Sequence, residues 1–189
     1  MDIDHLARLE RAEAYPAIQQ LAARYALYMD SRDLDGLGGL FAEDTNMGPL
    51  GRGRSVLKDF YRDHVLCQYY RSVHNVYQQI IDFADADHAE GKVYCRAEHE
   101  DADRWVAMAI IYSDRYVRRK GQWYFNRRTW QHFYACDVLE RPGQPTLQNW
   151  PSQVELGDPA LPQAFSTWGQ YWDRVAPGKE AQLTSSPVR

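Results

Sequence analysis

The sequence predicts an α+β domain, with N-terminal helices packed against a curved antiparallel sheet and a C-terminal extension beyond it. Two changes of pattern give this reading. Apolar residues recur at helical spacing as far as Tyr61, and from Ser72 onward the period becomes two. Prolines then divide the chain again, since seven of the nine lie from Pro142 onward. The expected division is a domain over residues 1–135 and an extension over 136–189.

The first helix follows a short charged lead over residues 3–13. Pro16 suits its first turn, where the missing N–H is no loss. Ile18, Leu21, Ala22, Tyr25, Tyr28 and Met29 follow at helical spacing as a core stripe. A second sector holds Ala23, Ala26, Leu27 and Asp30, so the helix is expected to be covered on two sides, with Asp30 among small apolar neighbours. A short second helix falls between Arg32 and Asp44, weakened by Gly36, Gly38 and Gly39. Gly48, Pro49, Gly51 and Gly53 mark a loop, after which Ser55 caps a third helix through Val56, Leu57, Phe60 and Tyr61.

Strand-like runs follow at about 72–83, 90–100, 105–118 and 122–134. They are separated by Asp85–His88, Asp101–Asp103 and Lys120-Gly121, and connections this short require antiparallel neighbours. In the extension, one helical island, Leu161–Val175, carries Phe165, Trp168, Tyr171, Trp172 and Val175 on one face. That aromatic face closes over a pocket or packs on another subunit.

Composition narrows the function. A chain of 189 residues suits one domain of ordinary size plus an extension. Its 13 Tyr and 6 Trp are enough to build a large apolar core or pocket. A formal net charge of -4 and a pI near 5.8 argue against a nucleic-acid binder. The basic run Arg115, Arg118, Arg119 and Lys120 is read as solvated, at a hairpin turn. Cys67, Cys95 and Cys136 form neither a CxxC pair nor a zinc-ligand set, which fits a reducing cytoplasm. The N-terminus shows no secretory signal pattern, and no stretch approaches 18 apolar residues, so neither secretion nor a membrane span is expected.

The candidate chemistry lies in a few polar residues on apolar faces. Alternation sets His74 with Val76, Gln78 and Ile80 on one strand face, as a core histidine or as an acid–base group. Asp30 either pairs with Arg24 or Arg32 or serves catalysis. His99 shares its face with Val93, Cys95 and Ala97. His5, His64, His88 and His132 are read as structural or surface residues. Tyr25 lies on the core stripe, so its hydroxyl needs a partner, which a ligand can supply. There is no GxSxG elbow, P-loop, GxGxxG after a strand, HExxH or carboxylate cluster at metal spacing, so nucleophilic, phosphoryl-transfer, dinucleotide and metal mechanisms lose support.

The order of these pieces resembles a known family. The helix from Ala17 through Tyr25 to Asp30, then Leu40-Phe-Ala-Glu-Asp44, then His74 opening a strand that ends near Gly91, then Tyr112-Ser-Asp-Arg-Tyr116 and Gly121-Gln-Trp-Tyr124, is similar to the SnoaL-like branch of the NTF2-like superfamily. The resemblance covers about residues 12–135. It implies a cone-shaped α+β barrel with a deep pocket and no cofactor. It also implies that Asp30 and His74 form the family's helix-Asp and strand-His pair, that Tyr25 matches a catalytic Tyr five residues ahead of that Asp, and that His99 matches a second His. One position departs from the pattern: where the family's dehydratases carry a loop Tyr, this chain reads Thr45-Asn-Met-Gly-Pro-Leu50.

The expected activity is that of a cofactor-independent lyase, with no metal. His74, oriented by Asp30, takes a proton, and His99 or Tyr25 protonates the departing group. The substrate is a cyclic or aromatic small molecule, such as a phenolic, polyketide, steroid or lignin-derived diaryl compound, losing water or formaldehyde. Tyr28, Tyr112 and Trp130 are candidate contacts, and a homodimer or homotrimer is expected. Two other classes stay open: a non-catalytic binding protein, and the small subunit of a ring-hydroxylating dioxygenase.

Overall fold

The first helix begins earlier than Pro16 suggests. In the computed structural model α1 runs from Ile3 to Ser31, with Pro16 inside it. From Leu6 to Glu13 the charged lead is built of Leu, Ala, Arg and Glu, all strong helix formers, so it continues the helix although its side chains face solvent. The structure describes residues 3–101 and 104–139 and, beyond them, 148–149, 160, 163–164, 166–170, 173–174 and 177.

The core stripe of α1 is Ala14, Ile18, Leu21, Ala22, Tyr25, Ala26 and Met29, all buried. The expected second covered side is not there: Ala23 is exposed and Leu27 is 61% exposed, so α1 is covered along one face. The short helix α2, Leu34–Gly39, is capped by Asp33, whose carboxylate accepts from the Gly36 N–H. The chain leaving α2 is tied to the sheet, since Ala42 N donates to Phe125 O and Phe125 N to Leu40 O at 2.8 and 2.9 Å. The third helix, α3, Arg54–Phe60, is capped by Gly53 with no side-chain bond, so Ser55 lies inside its first turn and is not the cap. It continues through a wider turn, Tyr61–Val65, and a tight one, Leu66–Gln68.

Four long strands follow as an antiparallel meander: β1 Arg71–Phe83, β2 His88–Asp101, β3 Arg104–Arg119 and β4 Gln122–Asp137. Lys120 and Gly121, both at positive φ, make the two-residue turn between β3 and β4. The short β5, Gln148–Asn149, pairs parallel with the end of β4, and the sheet order is β1-β2-β3-β4-β5. The sheet is open, and α1 packs against both β1 and β4 across its concave face. Of the aromatic island, α4, Ser166–Gln170, is described, while Phe165, Tyr171, Trp172 and Val175, and the side chain of Trp168, lie outside the described residues.

Burial on β2 alternates without interruption, placing Ala89, Gly91, Val93, Cys95, Ala97 and His99 inward. β1 does not keep one phase. Its pairing with β2 slips between Val76 and Gln79, so two β1 residues are passed over where β2 passes over one. Ser72, His74 and Val76 are inward before this bulge, and Gln79, Ile81 and Phe83 after it. Ile80, expected beside His74, is therefore turned out and 55% exposed, and Gln78 is exposed with it.

At Gly91 the neighbouring backbone comes close: a Cβ there would stand 2.6 Å from Ile80 O. Gly91→Ala is expected to lower the unfolding free energy by about 1–3 kcal/mol in urea titration, because main chain must shift to admit it. An unchanged midpoint would contradict this packing.

Candidate active site

The end of α1 brings Asp30 to the first residues of β1, and three donors converge on its carboxylate. His74 Nδ1 lies 2.7 Å from Oδ1, the His74 backbone N–H donates to Oδ2 at 2.8 Å, and the Ser72 hydroxyl donates to Oδ1 at 2.8 Å. Burial works to raise the Asp30 pKa, but the His74 ring and its charge, the His74 backbone N–H and Ser72 outweigh it, so the carboxyl lies below its ordinary value. An ionised carboxylate only accepts hydrogen bonds, so the His74 Nδ1 carries the proton and Nε2 is left as the basic nitrogen. The His74 side chain is 4% exposed.

His74 stands on the wall of a cavity of about 660 Å³ between the concave sheet face and the helices. Tyr25, His99, Tyr112 and Trp130 also line it, so five of the seven expected site residues share one space. Asp30 stands behind His74. Tyr28 does not line the cavity: it is half-buried, with its ring edge against Gly36 of α2. Trp130, 44% exposed, lies beside His132 with ring centroids 5.5 Å apart and the rings tilted by 44°.

His99 is buried next to His74, with ring centroids 5.8 Å apart. Burial pushes its imidazole down to about 3, and the charge on His74 pushes the same way, so His99 is neutral near pH 7. The Tyr25 hydroxyl pairs with the Tyr61 hydroxyl at 3.0 Å, and burial raises the pKa of both. Tyr69 meets the edge of the His99 ring at 4.5 Å, and burial takes its hydroxyl to about 12.

Sequence reasoning missed the cation in this cavity. Arg128, on β4, donates from Nε and Nη2 to Asp114 of β3 at 2.8 and 2.7 Å. Both side chains are buried, 3% and 0% exposed. The guanidinium lies 4.3 Å from the ring centroids of Tyr25, Tyr112 and Phe125. Burial opposes its charge, but the Asp114 carboxylate beside it keeps the Arg128 pKa above the ordinary value. Tyr116 donates to Asp114 at 2.7 Å and accepts from Gln79 at 3.0 Å, which joins the β1 bulge to this pair. The signal was there: Tyr112, Asp114 and Tyr116 share one face of β3, and a carboxylate in phase with two tyrosines needs a buried cation. Tyr61, placed by the sequence on the third helix without a role, supplies the hydroxyl that pairs with Tyr25, while the loop wall offers Met47, Pro49 and Leu50. Among the described residues, no group of three or more His, Cys, Asp or Glu is arranged to hold a metal ion, and no helix is long and apolar enough to cross a membrane.

Comparison with known proteins agrees with this architecture. A family profile described as a SnoaL-like domain matches residues 10–129. The hexachlorocyclohexane dehydrochlorinase LinA-type3 of Novosphingobium barchaimii is 20% identical with a TM-score of 0.63, covering 69% of this chain and 94% of that one. A scytalone-dehydratase-like protein of Novosphingobium aromaticivorans is 20% identical with a TM-score of 0.60, covering 78% of this chain and 96% of that one. A Mycobacterium tuberculosis protein of unknown function is 26% identical with a TM-score of 0.58, covering 66% and 75%. No curated protein matches the sequence.

Breaking the buried pair should be costly. Asp114→Ala strands the Arg128 charge and is expected to destabilise the fold by about 3–5 kcal/mol, whereas replacing both partners by apolar residues is expected to restore most of that loss. Equal losses in chemical unfolding would contradict the assignment. Asp30 gives a pH signature of fixed sign. Its depressed pKa adds stability above the ordinary Asp value of about 3.9, and this stability is lost as pH falls through the folded value. Unfolding free energy measured from about pH 5 to pH 2 is expected to fall less steeply in Asp30→Asn than in the natural chain, and parallel curves would overturn it.

Proposed function

The chain belongs to the SnoaL-like family of the NTF2-like superfamily, and from that premise we propose that it is a lyase that eliminates a small group from a cyclic or aromatic molecule without a cofactor. The observation that carries this reading is the 2.7 Å bond from His74 Nδ1 to Asp30 at the wall of an aromatic-lined cavity. Two neighbours in fold, the dehydrochlorinase and the scytalone-dehydratase-like protein, bear the names of elimination enzymes.

In the proposed reaction His74 Nε2 takes the substrate proton, and Asp30 stabilises the imidazolium that forms. The electron pair released makes the new double bond as the leaving group departs. Arg128, with its charge held by Asp114, and the Tyr25–Tyr61 hydroxyl pair lie where negative charge on the substrate would be favoured. His99, neutral at working pH, acts by hydrogen bonding to the departing oxygen. Since burial holds the Tyr25 proton well above neutral pH, Tyr25 steadies that oxygen while the imidazolium of His74 supplies the proton that completes a neutral product.

A cavity of about 660 Å³ walled by Tyr25, Phe60, Tyr112 and Trp130 suits a flat molecule of two or more rings. Phenolic, polyketide, steroid and lignin-derived diaryl compounds fall in this class. Loss of water starts with removal of a C–H proton. Loss of formaldehyde starts with removal of the proton of a primary hydroxyl; the C–C bond then breaks as the C=O of formaldehyde forms, and its electron pair makes the new C=C bond as the leaving group on the next carbon departs.

A panel of such compounds, followed for water loss by mass spectrometry and for formaldehyde by a trapping reagent, tests the reading. With a compound that turns over, His74→Ala and Asp30→Asn are each expected to lower kcat by about 10²–10⁴-fold while leaving the dissociation constant within a few-fold. A variant that retains full turnover would sink the proposal, and binding across the panel without turnover would assign the chain to the binding proteins of this fold.

A further inference from the structure

The proposed acid–base pair is held by a residue in an unusual backbone state. Arg32 follows the last residue of α1 at φ +61, in the left-handed region. Arg32 N donates to Met29 O at 3.3 Å and Asp33 N to Tyr28 O at 3.0 Å. These paired bonds are a Schellman helix end, where glycine is usual because a side chain is penalised at that φ. An arginine kept there points to work done by its side chain.

Its contacts say what that work is. Nη1 donates to Met29 O at 2.8 Å and to Ser72 Oγ at 3.2 Å. Nη2 donates to Tyr69 O at 3.1 Å and Tyr70 O at 3.2 Å, and the guanidinium lies 4.8 Å from the Tyr69 ring centroid. The Ser72 hydroxyl has one proton. With an Arg32 N–H directed at its oxygen, that proton is turned to Asp30 Oδ1, 2.8 Å away. The same guanidinium fixes the residues that place the Tyr69 ring on His99 at the cavity wall.

We propose that Arg32 is a positioning residue for the Asp30–His74 pair, orienting the Ser72 hydroxyl onto Asp30 and pinning the Tyr69-Tyr70 segment beside the cavity. The inference rests on Asp30 and His74 forming the acid–base pair, but the tie can be read without any substrate. The titratable and charged groups around Asp30 are His74 on β1, Cys95 and His99 on β2, Tyr69 just before β1, and Arg32. The Ser72 bond is one of the interactions that hold the Asp30 pKa down, so its loss moves the Asp30 midpoint upward.

NMR titration of protein labelled with ¹³C-carboxyl Asp and ¹⁵N-His reads both groups. Arg32→Gly keeps the left-handed backbone and removes the guanidinium, Ser72→Ala removes the hydroxyl, and Arg32→Lys keeps the charge without the fork. Arg32→Gly and Ser72→Ala are expected to raise the Asp30 midpoint by the same amount, with no further rise in the double variant. Arg32→Lys is expected to give an intermediate rise. A folded Arg32→Gly with unchanged Asp30 titration, altered only in melting temperature, would reduce Arg32 to a helix end. Should Arg32→Gly fail to fold, Arg32→Lys and Ser72→Ala decide by the same readings. Asp30→Asn serves as the separate control, because an unchanged His74 spectrum there means that the pair, and not Arg32, was misread.

Discussion

The Asp30 carboxylate is the constraint on which the rest of the site depends. It accepts from the ring and backbone of His74 and from the hydroxyl of Ser72, so one side chain at the end of α1 fixes the first residues of β1. Together with Arg32, it joins the strand that opens the sheet to the helix that the sheet wraps. The same three bonds decide the protonation pattern. A carboxylate held ionised makes Nδ1 of His74 the donor and leaves Nε2 as the base, so the geometry of folding and the chemistry of the site come from one set of contacts.

A second buried charge organises the other side of the cavity. Arg128 and Asp114 neutralise each other across β3 and β4, and aromatic rings cover the guanidinium. The bulge in β1 belongs to this arrangement. By shifting phase after Val76, the strand turns Gln79 inward, where it reaches the Tyr116 hydroxyl that in turn donates to Asp114. The cavity thus has a base on one wall and a cation held in place on another, with tyrosine hydroxyls between them. Such an arrangement favours removal of a proton and accumulation of negative charge on a bound ring system.

Much of this was legible in the residues, for identifiable reasons. The switch to a period of two located all four long strands, most plainly β2, which buries one face and leaves the other wet, whereas β3 is buried on both faces around Val106–Tyr112. Asp30 and His74 were visible as polar residues in apolar settings, but only the resemblance of element order to a known family joined residues far apart in the chain. The bulge was not legible: nothing in Val76-Tyr-Gln-Gln79 marks the residues that pairing with β2 would pass over, so Ile80 was placed inward. Pro16 misled because strong helix formers ahead of it carry α1 through a proline that by itself disfavours a helix interior. Arg128 was missed because two adjacent arginines read alike, and the side on which each falls depends on a register slip between Arg115 and Tyr116. Arg32 was weighed as a partner for Asp30, and it does support that carboxylate, through Ser72 rather than by direct pairing.

The central claim is that His74 presents a bare Nε2 to the cavity because Asp30 holds its Nδ1 proton. Neutron diffraction from a deuterium-exchanged crystal, grown at a pH where the His74 ring is neutral, tests it most directly. The account predicts deuterium on Nδ1 along the line to Asp30 Oδ1, none on Nε2, and no deuterium on either carboxyl oxygen. Deuterium on Nε2 with Nδ1 bare, or a protonated Asp30, would contradict it.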